Sequence, residues 1–356
     1  MKPCKISFCT TVMDRLPHLL QTLSQNIIDN IDYDDLEFII LDYNSSQEIF
    51  NPLYRNFRTE IESGRVKIFR TNDPLHYNMS HSRNMAFNLA SGDILCNIDA
   101  DNFTGKGFAA YVQRMFHFNG AIFLTTHNIK HVNNDVLGRI CVRREDFQNV
   151  NGYDERMKHY GFDDFDLANR LEGLGLRKLQ ISKHFLSAVK HSNATRMTNF
   201  PGGKSHYDVL IRYENPYCSE LILRFKNGTY SRAHIINNHI KAAIERCRNP
   251  LPLNKHFKFS IQEHKWIEGT WTESSKSLYL NFSNNNTIIK RFKNDVYQTK
   301  EQHLFYKITN PGLLEVTLFF YNQISNRNIM DENLMNKRFK VNDGGYGKGK
   351  YVTYTL

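Results

Sequence analysis

Two aspartates separated by one residue form the first candidate site in the chain. Asp99 and Asp101 stand in the segment NIDAD, directly after an apolar run. Two carboxylates at this spacing after a strand can hold a hard divalent cation at one edge of a crevice. Such a tripeptide is also typical of a solvated turn, so its position in the fold has to decide between the two interpretations.

A second acidic group opens a predicted helix in the segment GFDDFDLANRL, where Asp163, Asp164 and Asp166 fall within four positions. N-capping and the helix dipole favour acidic residues at such a place and account for one of them. Three exceed what capping needs. A carboxylate at a helix start on the rim of a cleft can accept a proton from a hydroxyl, so this group is a candidate general base.

Arg83 and His191 are the other candidates. Arg83 lies near the start of a predicted helix, which Ser82 is expected to cap. The helix dipole disfavours a cation there, so a nearby anion, either the aspartates or a bound diphosphate, explains Arg83 better.

His191 follows an apolar strand. A single histidine is usually structural or exposed, but the end of a strand makes a metal-ligand role competitive.

Short apolar runs and helical patterns alternate up to about residue 200. The predicted strands are Lys5–Val12, Glu37–Asp42, Val66–Phe69, Asp93–Ile98, Ala121–Thr125, Arg139–Arg143, Leu176–Ile181 and Phe185–Val189. The predicted helices are Leu16–Ile31, Glu48–Ile61, Ser82–Ala90 and Asp164–Gly173. This alternation predicts an α/β fold with a doubly wound, mostly parallel sheet and helices on both faces, whose ligands bind at the carboxyl ends of the strands.

The rest of the chain has a different pattern. Residues 192–217 are rich in loop formers, and Ser231–Arg248 has the spacing of an amphipathic helix. A period of two then follows in Phe257–Ile261, Leu278–Phe282, Ile288–Ile289 and Leu314–Tyr321. The pattern predicts a smaller β-rich domain. The expected boundaries are 1–215 for the α/β domain, 216–252 for a helical linker and 253–356 for a basic β-rich accessory domain.

Composition limits the function classes. The 356 residues are 40% apolar and 23% charged, and no apolar run approaches the ~20 residues of a spanning helix, which excludes an integral membrane protein. We expect a cytoplasmic protein, since the N-terminus lacks a secretory signal and the six cysteines show no disulfide or zinc spacing. The net charge of +10 arises wholly after residue 215, where 21 Lys and Arg face 11 Asp and Glu.

The order of several motifs resembles family 2 glycosyltransferases of the GT-A fold and the related galactosyltransferase group. The resemblance covers about residues 5–200. It rests on TTVMDR in the first strand, IILDYNSS in the second, HSRNMAFNLASGDILCNIDAD, GRICVRREDFQNVNGYDE, GFDDFDLANRL and the histidine at 191. The resemblance implies a GT-A domain that binds a nucleotide-sugar.

The resemblance also implies roles for individual residues. Thr10, Thr11 and Asp14 would line the nucleotide end of the crevice, Asp42 would bind the edge of a uracil-type base, and Arg83 would approach the diphosphate or the donor sugar. Asp99 and Asp101 form the DxD motif, with Asp101 and His191 holding Mn²⁺ or Mg²⁺. In the family's catalytic acidic pair the second residue is the base, here Asp164. Asp163 stands first, where the family usually has Glu.

The sequence therefore predicts a metal-dependent, inverting glycosyltransferase. It would move a sugar from a nucleotide-sugar, in the first place a UDP-sugar, to a hydroxyl of a glycan or lipid-linked acceptor in surface polysaccharide synthesis. The alternative is a protein that binds an anionic surface or nucleic acid through the basic β-rich domain, with sugar transfer secondary. We expect peripheral contact with an acidic glycan or the inner face of a membrane rather than with nucleic acid.

Overall fold

The computed structural model describes residues 4–127, 136–190, 199–200, 206–215, 218–236, 266–275, 277–282 and 285–354. The chain divides into two compact units, of which the first combines Met1–Ser192 with Ile329–Leu356 and the second is Asn193–Asn328. This division differs from the predicted boundaries at residues 215 and 252. The C-terminal residues, expected in the β-rich domain, belong to the first unit because a late strand pairs with its sheet.

A mixed sheet forms the centre of the first unit. The strands up to residue 192 are β1 (Ile6–Val12), β2 (Leu36–Tyr43), β3 (Val66–Thr71), β4 (Ile94–Asn97), β5 (Asn102–Phe103), β6 (Ile122–Thr125), β7 (Ile140–Arg143), β8 (Arg177–Gln180) and β9 (Ser187–Ala188). The sheet order is β3-β2-β1-β4-β7-β6-β8, with one further strand beside β3. Strands β5 and β9 form a separate antiparallel pair.

The strand directions confirm the predicted α/β class. Strands β1 to β4 are joined by parallel pairing, and β8 lies parallel to β6. Strand β7 is antiparallel to both of its neighbours. Parallel neighbours need a crossover connection, usually a helix, and this explains the alternation of patterns in the sequence. The carboxyl ends of β1, β2 and β4 consequently lie at one edge of the sheet.

Helices cover both faces of this sheet. They are α1 (Leu16–Asp29), α2 (Phe50–Glu62), α3 (Met79–Leu89), α4 (Phe108–Phe118), α5 (Arg144–Asn149) and α6 (Asp163–Gly173). Because side chains alternate along a strand, Phe38 and Ile40 pack with α1, α2 and α4, while Ile39 and Leu41 pack with α3, α5 and α6. Among the described residues, none of the helices combines the length and the apolar character that crossing a bilayer requires.

Helix α3 begins three residues before the predicted start. Its N-cap is Asn78, whose side chain accepts a hydrogen bond from the His81 amide at 3.0 Å. The expected capping role of Ser82 is wrong, since the Ser82 hydroxyl donates to the carbonyl of Met79 at 3.1 Å within the helix. Arg83 therefore lies in the second turn of α3. Of the predicted strand Phe185–Val189, only Ser187–Ala188 forms a β-strand.

The second unit contains a closed antiparallel barrel. Its strands are β10 (His206–Asn215), β11 (Cys218–Phe225), β12 (Thr229–Ile236), β13 (Ile267–Ser274), β14 (Ser277–Phe282), β15 (Asn285–Lys293), β16 (Val296–Thr299) and β17 (Leu304–Lys307). The predicted β-rich domain is thus confirmed, although β10 lies in a segment expected to be loop. The predicted helix Ser231–Arg248 is wrong up to Ile236. Residues 237–248 and the predicted strand Phe257–Ile261 lie outside the described residues.

A long helix, α7 (Pro311–Met335), replaces the strand predicted at Leu314–Tyr321. The Asn310 side chain caps it by accepting from the Leu313 amide at 3.0 Å, and Pro311 stands at the favoured first helical position. Within the second unit, apolar residues of α7 pack on β10 and β11. After α7 the chain ends in β18 (Val352–Tyr354), which is antiparallel to β3 in the first unit.

Candidate active site

The turn after β4 presents the two aspartates of the DxD motif. The Asn97 side chain donates to Asp99 Oδ1 at 2.9 Å, and the Asn102 side chain donates to Asp101 Oδ1 at 2.7 Å. The Asn102 amide also donates to the Asp99 carbonyl at 2.9 Å, which closes the turn. The Asp99 side chain remains 30% exposed, so its carboxylate is accessible from outside the core.

Arg83 joins this turn to the second acidic group. Its guanidinium donates to Asp99 Oδ1 at 3.0 Å through Nη2 and to Asp163 Oδ2 through Nη1, and it lies 5.6 Å from the centre of the Tyr153 ring. The side chain is 1% exposed. Burial alone would lower the pKa of Arg83, but the two carboxylates outweigh it and raise the pKa, so Arg83 stays charged. The sequence-based expectation of nearby carboxylates is thus correct.

The pKa values of the two neighbouring aspartates at the start of α6 are shifted in opposite directions. Burial raises the pKa of Asp163 to about 6, against the lowering effect of Arg83. Burial would also raise the pKa of Asp164, but the hydrogen bond and charge of His127, together with Arg83, lower it. At neutral pH a larger fraction of Asp164 than of Asp163 is therefore ionised. A pair of titratable groups whose surroundings separate their pKa values is a frequent feature of catalytic sites.

His127 was not among the residues selected from the sequence. Its Nε2 lies 3.2 Å from Asp164 Oδ2, and its ring stacks on the Phe165 ring at 3.9 Å with an angle of 4° between the planes. It is the second residue after β6, and its side chain is buried. The only sequence signal for His127 is its position just after an apolar strand. His191 has the same signal, so it does not single out His127.

Asp166, the third acid of the group, has a structural role. Its carboxylate accepts from Arg170 at 2.7 Å and from Asn333 at 2.9 Å, and all three side chains are buried. Of the three acids at the start of α6, Asp166 thus stabilises the fold and needs no catalytic role, as expected from the sequence.

The turn that leads into α6 contains Gly161 at φ 86° and Phe162 at φ 65°. A bulky residue in the left-handed region is uncommon and occurs preferentially where function fixes the backbone.

The threonines of β1 lie beside the same turn. Thr10 donates to the carbonyl of Ile98 at 2.8 Å, one residue before Asp99. Thr11 shares a hydrogen bond of 2.5 Å with the Tyr77 hydroxyl, and the Ser82 hydroxyl donates to Thr11 at 3.4 Å. The structure therefore brings Thr10, Thr11, Arg83, Asp99, Asp163 and Asp164 to one edge of the sheet.

Asp14 and Asp42 form a second group at the ends of β1 and β2. Asp14 accepts from the Ser46 amide and hydroxyl, both at 2.7 Å, while its own amide donates to the Ser45 hydroxyl at 3.0 Å. Asp42 is fully buried and accepts from Arg70 at 2.7 Å and from the Ser45 amide at 2.9 Å. Burial raises the pKa of Asp42 although both donors oppose this. Arg70 is the partner that the sequence analysis did not select.

Two of the three residues expected to hold a metal ion, Asp99 and Asp101, lie within the described residues. His191 lies outside the described residues, and within the described ones no three histidine, cysteine or acidic side chains form a group that could hold a metal ion. Asp99 and Asp101 are nevertheless suitable donors, because Mn²⁺ and Mg²⁺ prefer carboxylate oxygens. The exposed fraction of Asp99 leaves its carboxylate open to such an ion.

Comparisons with known proteins support the resemblance. A family model described as the N-terminal domain of galactosyltransferase matches residues 113–198, which include His127, Asp163, Asp164 and His191. No curated protein matches the chain. The predicted resemblance to glycosyltransferases is thereby confirmed over the matched segment, which is about a quarter of the chain.

Solved structures with similar backbones are glycosyltransferases by their names. The mannosyltransferase PcManGT from Pyrobaculum calidifontis, solved with GDP-Man and Mn²⁺, shares 16% identity at a TM-score of 0.45 over 56% of this chain and 62% of that one. Drosophila β1,4-galactosyltransferase 7 with xylobiose shares 17% at 0.38 over 56% and 78%. S. aureus TarS 1–349 with UDP-GlcNAc shares 15% at 0.42 over 53% and 59%. The chain thus spans about three fifths of the first of these structures.

Proposed function

We propose that the first unit is a metal-dependent, inverting glycosyltransferase that moves a sugar from a nucleotide-sugar to a hydroxyl acceptor. One observation carries the proposal: Arg83 connects the partly exposed carboxylate of Asp99 after β4 with the acidic pair at the start of α6. Asp99, which could help to hold a metal ion on a leaving diphosphate, is therefore linked through Arg83 to the acidic pair, which could deprotonate an acceptor. The matched galactosyltransferase domain supports the same reaction class.

The donor end of the site would be formed by β1, β2 and β4. We assign Thr10, Thr11 and Asp14 to the nucleotide. Asp42 is fully buried, so it would act at the base edge through Arg70, whose side chain is 17% exposed. We favour a UDP-sugar as the donor. Structures with similar backbones were solved with GDP-Man and with UDP-GlcNAc, so both nucleotides belong in a screen.

Charge neutralisation is the first requirement of the reaction. A nucleoside diphosphate leaves with additional negative charge, and fixed positive groups stabilise it. We assign Asp99, Asp101 and His191 to Mn²⁺ or Mg²⁺, which would act as a Lewis acid on the diphosphate oxygens. Arg83 holds Asp99 in position through the contact of 3.0 Å.

Deprotonation of the acceptor is the second requirement. As the bond between the acceptor oxygen and the anomeric carbon forms, the hydroxyl proton passes to the carboxylate of Asp164, and the bonding electrons leave with the diphosphate. A single base and in-line attack invert the anomeric centre. Asp163 pairs with Arg83 in this structure, so we assign it to shaping the site rather than to accepting the proton.

The proposal is tested by metal-dependent donor binding. Titration calorimetry with UDP and Mn²⁺ should show binding by the wild type and a loss of the metal-dependent part in Asp101→Asn. The exposed Asp34, changed to Asn, is the matched control and should bind like the wild type. Equal metal dependence in Asp101→Asn and the wild type would contradict the metal assignment, and absence of binding for UDP and GDP alike would contradict the donor class.

The basic second unit suggests where the acceptor is found. Residues 193–328 carry 19 Lys and Arg against 10 Asp and Glu, so we propose that this unit contacts an acidic glycan or an anionic membrane face during synthesis of a surface polysaccharide or lipid-linked glycan. Co-sedimentation of the full chain with vesicles containing an anionic lipid should decrease as salt rises. Failure to bind both anionic vesicles and an acidic polysaccharide at low salt would contradict this.

A further inference from the structure

The pairing of His127 with Asp164 carries a further inference, which rests on the proposed function. The imidazole Nε2 is 3.2 Å from Asp164 Oδ2, and both side chains are buried. An ionised carboxylate can only accept hydrogen bonds, so Nε2 must carry the proton and donate it. The other carboxylate oxygen, Oδ1, accepts from the Phe165 amide at 2.9 Å. Asp164 is therefore fixed by one donor on each oxygen.

The position of His127 is itself fixed by its surroundings. Its ring is parallel to the Phe165 ring at 3.9 Å, and its amide donates to the Thr125 hydroxyl at 3.3 Å. The Gln180 side chain donates to the His127 carbonyl at 3.4 Å. The imidazole is thus held by the end of β6 on one side and by α6 on the other. A side chain positioned in this way can hold the carboxylate in one orientation.

We propose that His127 is a positioning residue for Asp164: it donates through Nε2 and keeps the carboxylate ionised and oriented toward the acceptor hydroxyl. No proton is exchanged in this role, because His127 remains the donor before and after Asp164 accepts the acceptor's proton. Removal of the donor would leave a buried carboxylate with one hydrogen bond fewer, which favours its protonated form.

Other charged and titratable groups also surround Asp164. Arg83 of α3 contributes positive charge, but its two ion pairs are with Asp163 and Asp99. Asp163 stands next to Asp164 on α6 and disfavours a second negative charge. Tyr153 and Tyr160 face the same group from the preceding segment, and the pKa of each is raised, first by burial. Both tyrosines are therefore neutral at working pH.

Two substitutions separate a donor role from a packing role. His127→Gln places an amide N–H the same number of bonds from Cβ as Nε2, but loses the aromatic ring. His127→Phe keeps the ring that stacks on Phe165, but has no donor. If His127 positions Asp164, Gln should preserve kcat within a few-fold. Phe should lower kcat roughly 10- to 100-fold with little change in the donor KM, as expected for loss of a hydrogen bond to a charged group.

The pH profile distinguishes the two roles further. Without the donor, Asp164 requires a higher pH to be ionised, so the acidic limb of kcat should move upward in His127→Phe and stay in place in His127→Gln. The opposite ranking, with Phe active and Gln inactive, would show that stacking is the function and would overturn the inference. Equal pH profiles in all three proteins would overturn it as well.

A measurement without turnover keeps this inference separate from the proposed function. Carboxyl-¹³C aspartate labelling, with the Asp164 signal assigned by its loss in Asp164→Asn, reports the titration of this group directly. The midpoint should rise in His127→Phe and remain near the wild-type value in His127→Gln. If this midpoint rises in His127→Phe but the wild type transfers no sugar, the His127–Asp164 pairing is supported and the proposed function is contradicted. An unchanged midpoint in His127→Phe overturns the pairing whether or not the protein transfers sugar.

Discussion

At the scale of residues, Arg83 has the largest predicted effect. It is buried and binds two carboxylates, one of them also buried. Removing one partner of a buried ion pair leaves an uncompensated charge and costs about 3–5 kcal/mol. We therefore expect Arg83→Met to lower the free energy of unfolding by about that amount at pH 8, measured by urea denaturation.

The pH dependence of this effect follows from Asp163. Its pKa of about 6 means that protonation near pH 5 neutralises it even in the wild type. The destabilisation by Arg83→Met should consequently be smaller at pH 5 than at pH 8. Arg83→Lys, which keeps the charge, is the matched control. A difference in stability below about 1 kcal/mol at pH 8, or one that grows toward pH 5, would contradict this account.

Which site residues the sequence reveals depends on whether their partners are near in the chain. Asp99, Asp101, Asp163 and Asp164 stand in short motifs, so type and spacing were sufficient to select them. His127 acquires its role only through Asp164, which lies 37 residues later in the chain. Pairing across such a distance is created by the fold, and periodicity carries no information about it.

At the scale of elements, the turn at Gly138 supports the site. A Cβ at this position would stand 2.7 Å from Arg83 Nη2 and 3.0 Å from Asp99 Oδ2. Since Arg83 is held by two ion pairs, it cannot move without breaking one of them. Gly138→Ala should therefore weaken metal-dependent nucleotide binding at least several-fold in calorimetry. Gly344→Ala, where a Cβ meets open space, is the control, and equal binding by the two variants would contradict the prediction.

Glu37 connects several elements on the sheet. It accepts from Ser7 of β1 at 2.6 Å, from Lys67 of β3 at 2.8 Å and from the Ser91 hydroxyl at 2.8 Å. Burial alone would raise the pKa of Glu37, but these donors outweigh it and lower the pKa to about 2. The stabilisation is therefore complete above the unfolded pKa near 4.5 and is lost as the pH falls toward 2.

Glu37→Gln should accordingly lower the free energy of unfolding by on the order of 2–3 kcal/mol at pH 7. The difference from the wild type should decrease steadily below pH 4.5. Urea denaturation at pH 7 and pH 3 checks both statements, with the exposed Glu145 changed to Gln as control. A difference that is constant over this range would show that the hydrogen bonds, rather than the ionised carboxylate, stabilise the protein.

Local patterns predicted the elements of the first unit better than those of the second. The strands of the parallel sheet are buried apolar runs between helices, and their bounds agree with the structure within a few residues. The apolar run Leu314–Tyr321 instead predicts a strand, because it has no clear helical period. The Asn310–Pro311 pair just before this run is the capping signal of α7. Tertiary packing on β10 and β11 stabilises this helix.

At the scale of the whole molecule, the end of the chain returns to the first unit. Asn342 donates to the carbonyls of Asn151 at 2.8 Å and Tyr153 at 2.6 Å, and the Gly347 amide donates to Glu155 at 2.6 Å. The carbonyl of Lys348 contacts the His81 ring at 2.8 Å, next to the helix turn that carries Arg83. The first unit is thus built from both ends of the sequence.

Removing residues 336–356 should therefore destabilise the first unit, since it deletes β18 and these hydrogen bonds. A loss of ~2 kcal/mol corresponds to a decrease in Tm of roughly 4–8 °C, measured by scanning calorimetry. Lys340→Ala, at an exposed position, is the control for the segment. The boundary of 1–215 expected for the α/β domain implies that this domain does not need residues 336–356, and an unchanged Tm after the deletion would restore that boundary.

We propose that the first unit transfers a sugar with Asp164 as the base. The most direct measurement compares donor binding and transfer by the wild type, Asp164→Asn and Asp163→Asn with Mn²⁺ and a panel of UDP- and GDP-sugars. We predict that Asp164→Asn binds the donor like the wild type while transfer falls by ~10²–10⁴, the usual contribution of a general base. Wild-type transfer by Asp164→Asn, together with inactivity of Asp163→Asn, would contradict the assignment, and a wild type that transfers from no nucleotide-sugar would contradict the claim itself.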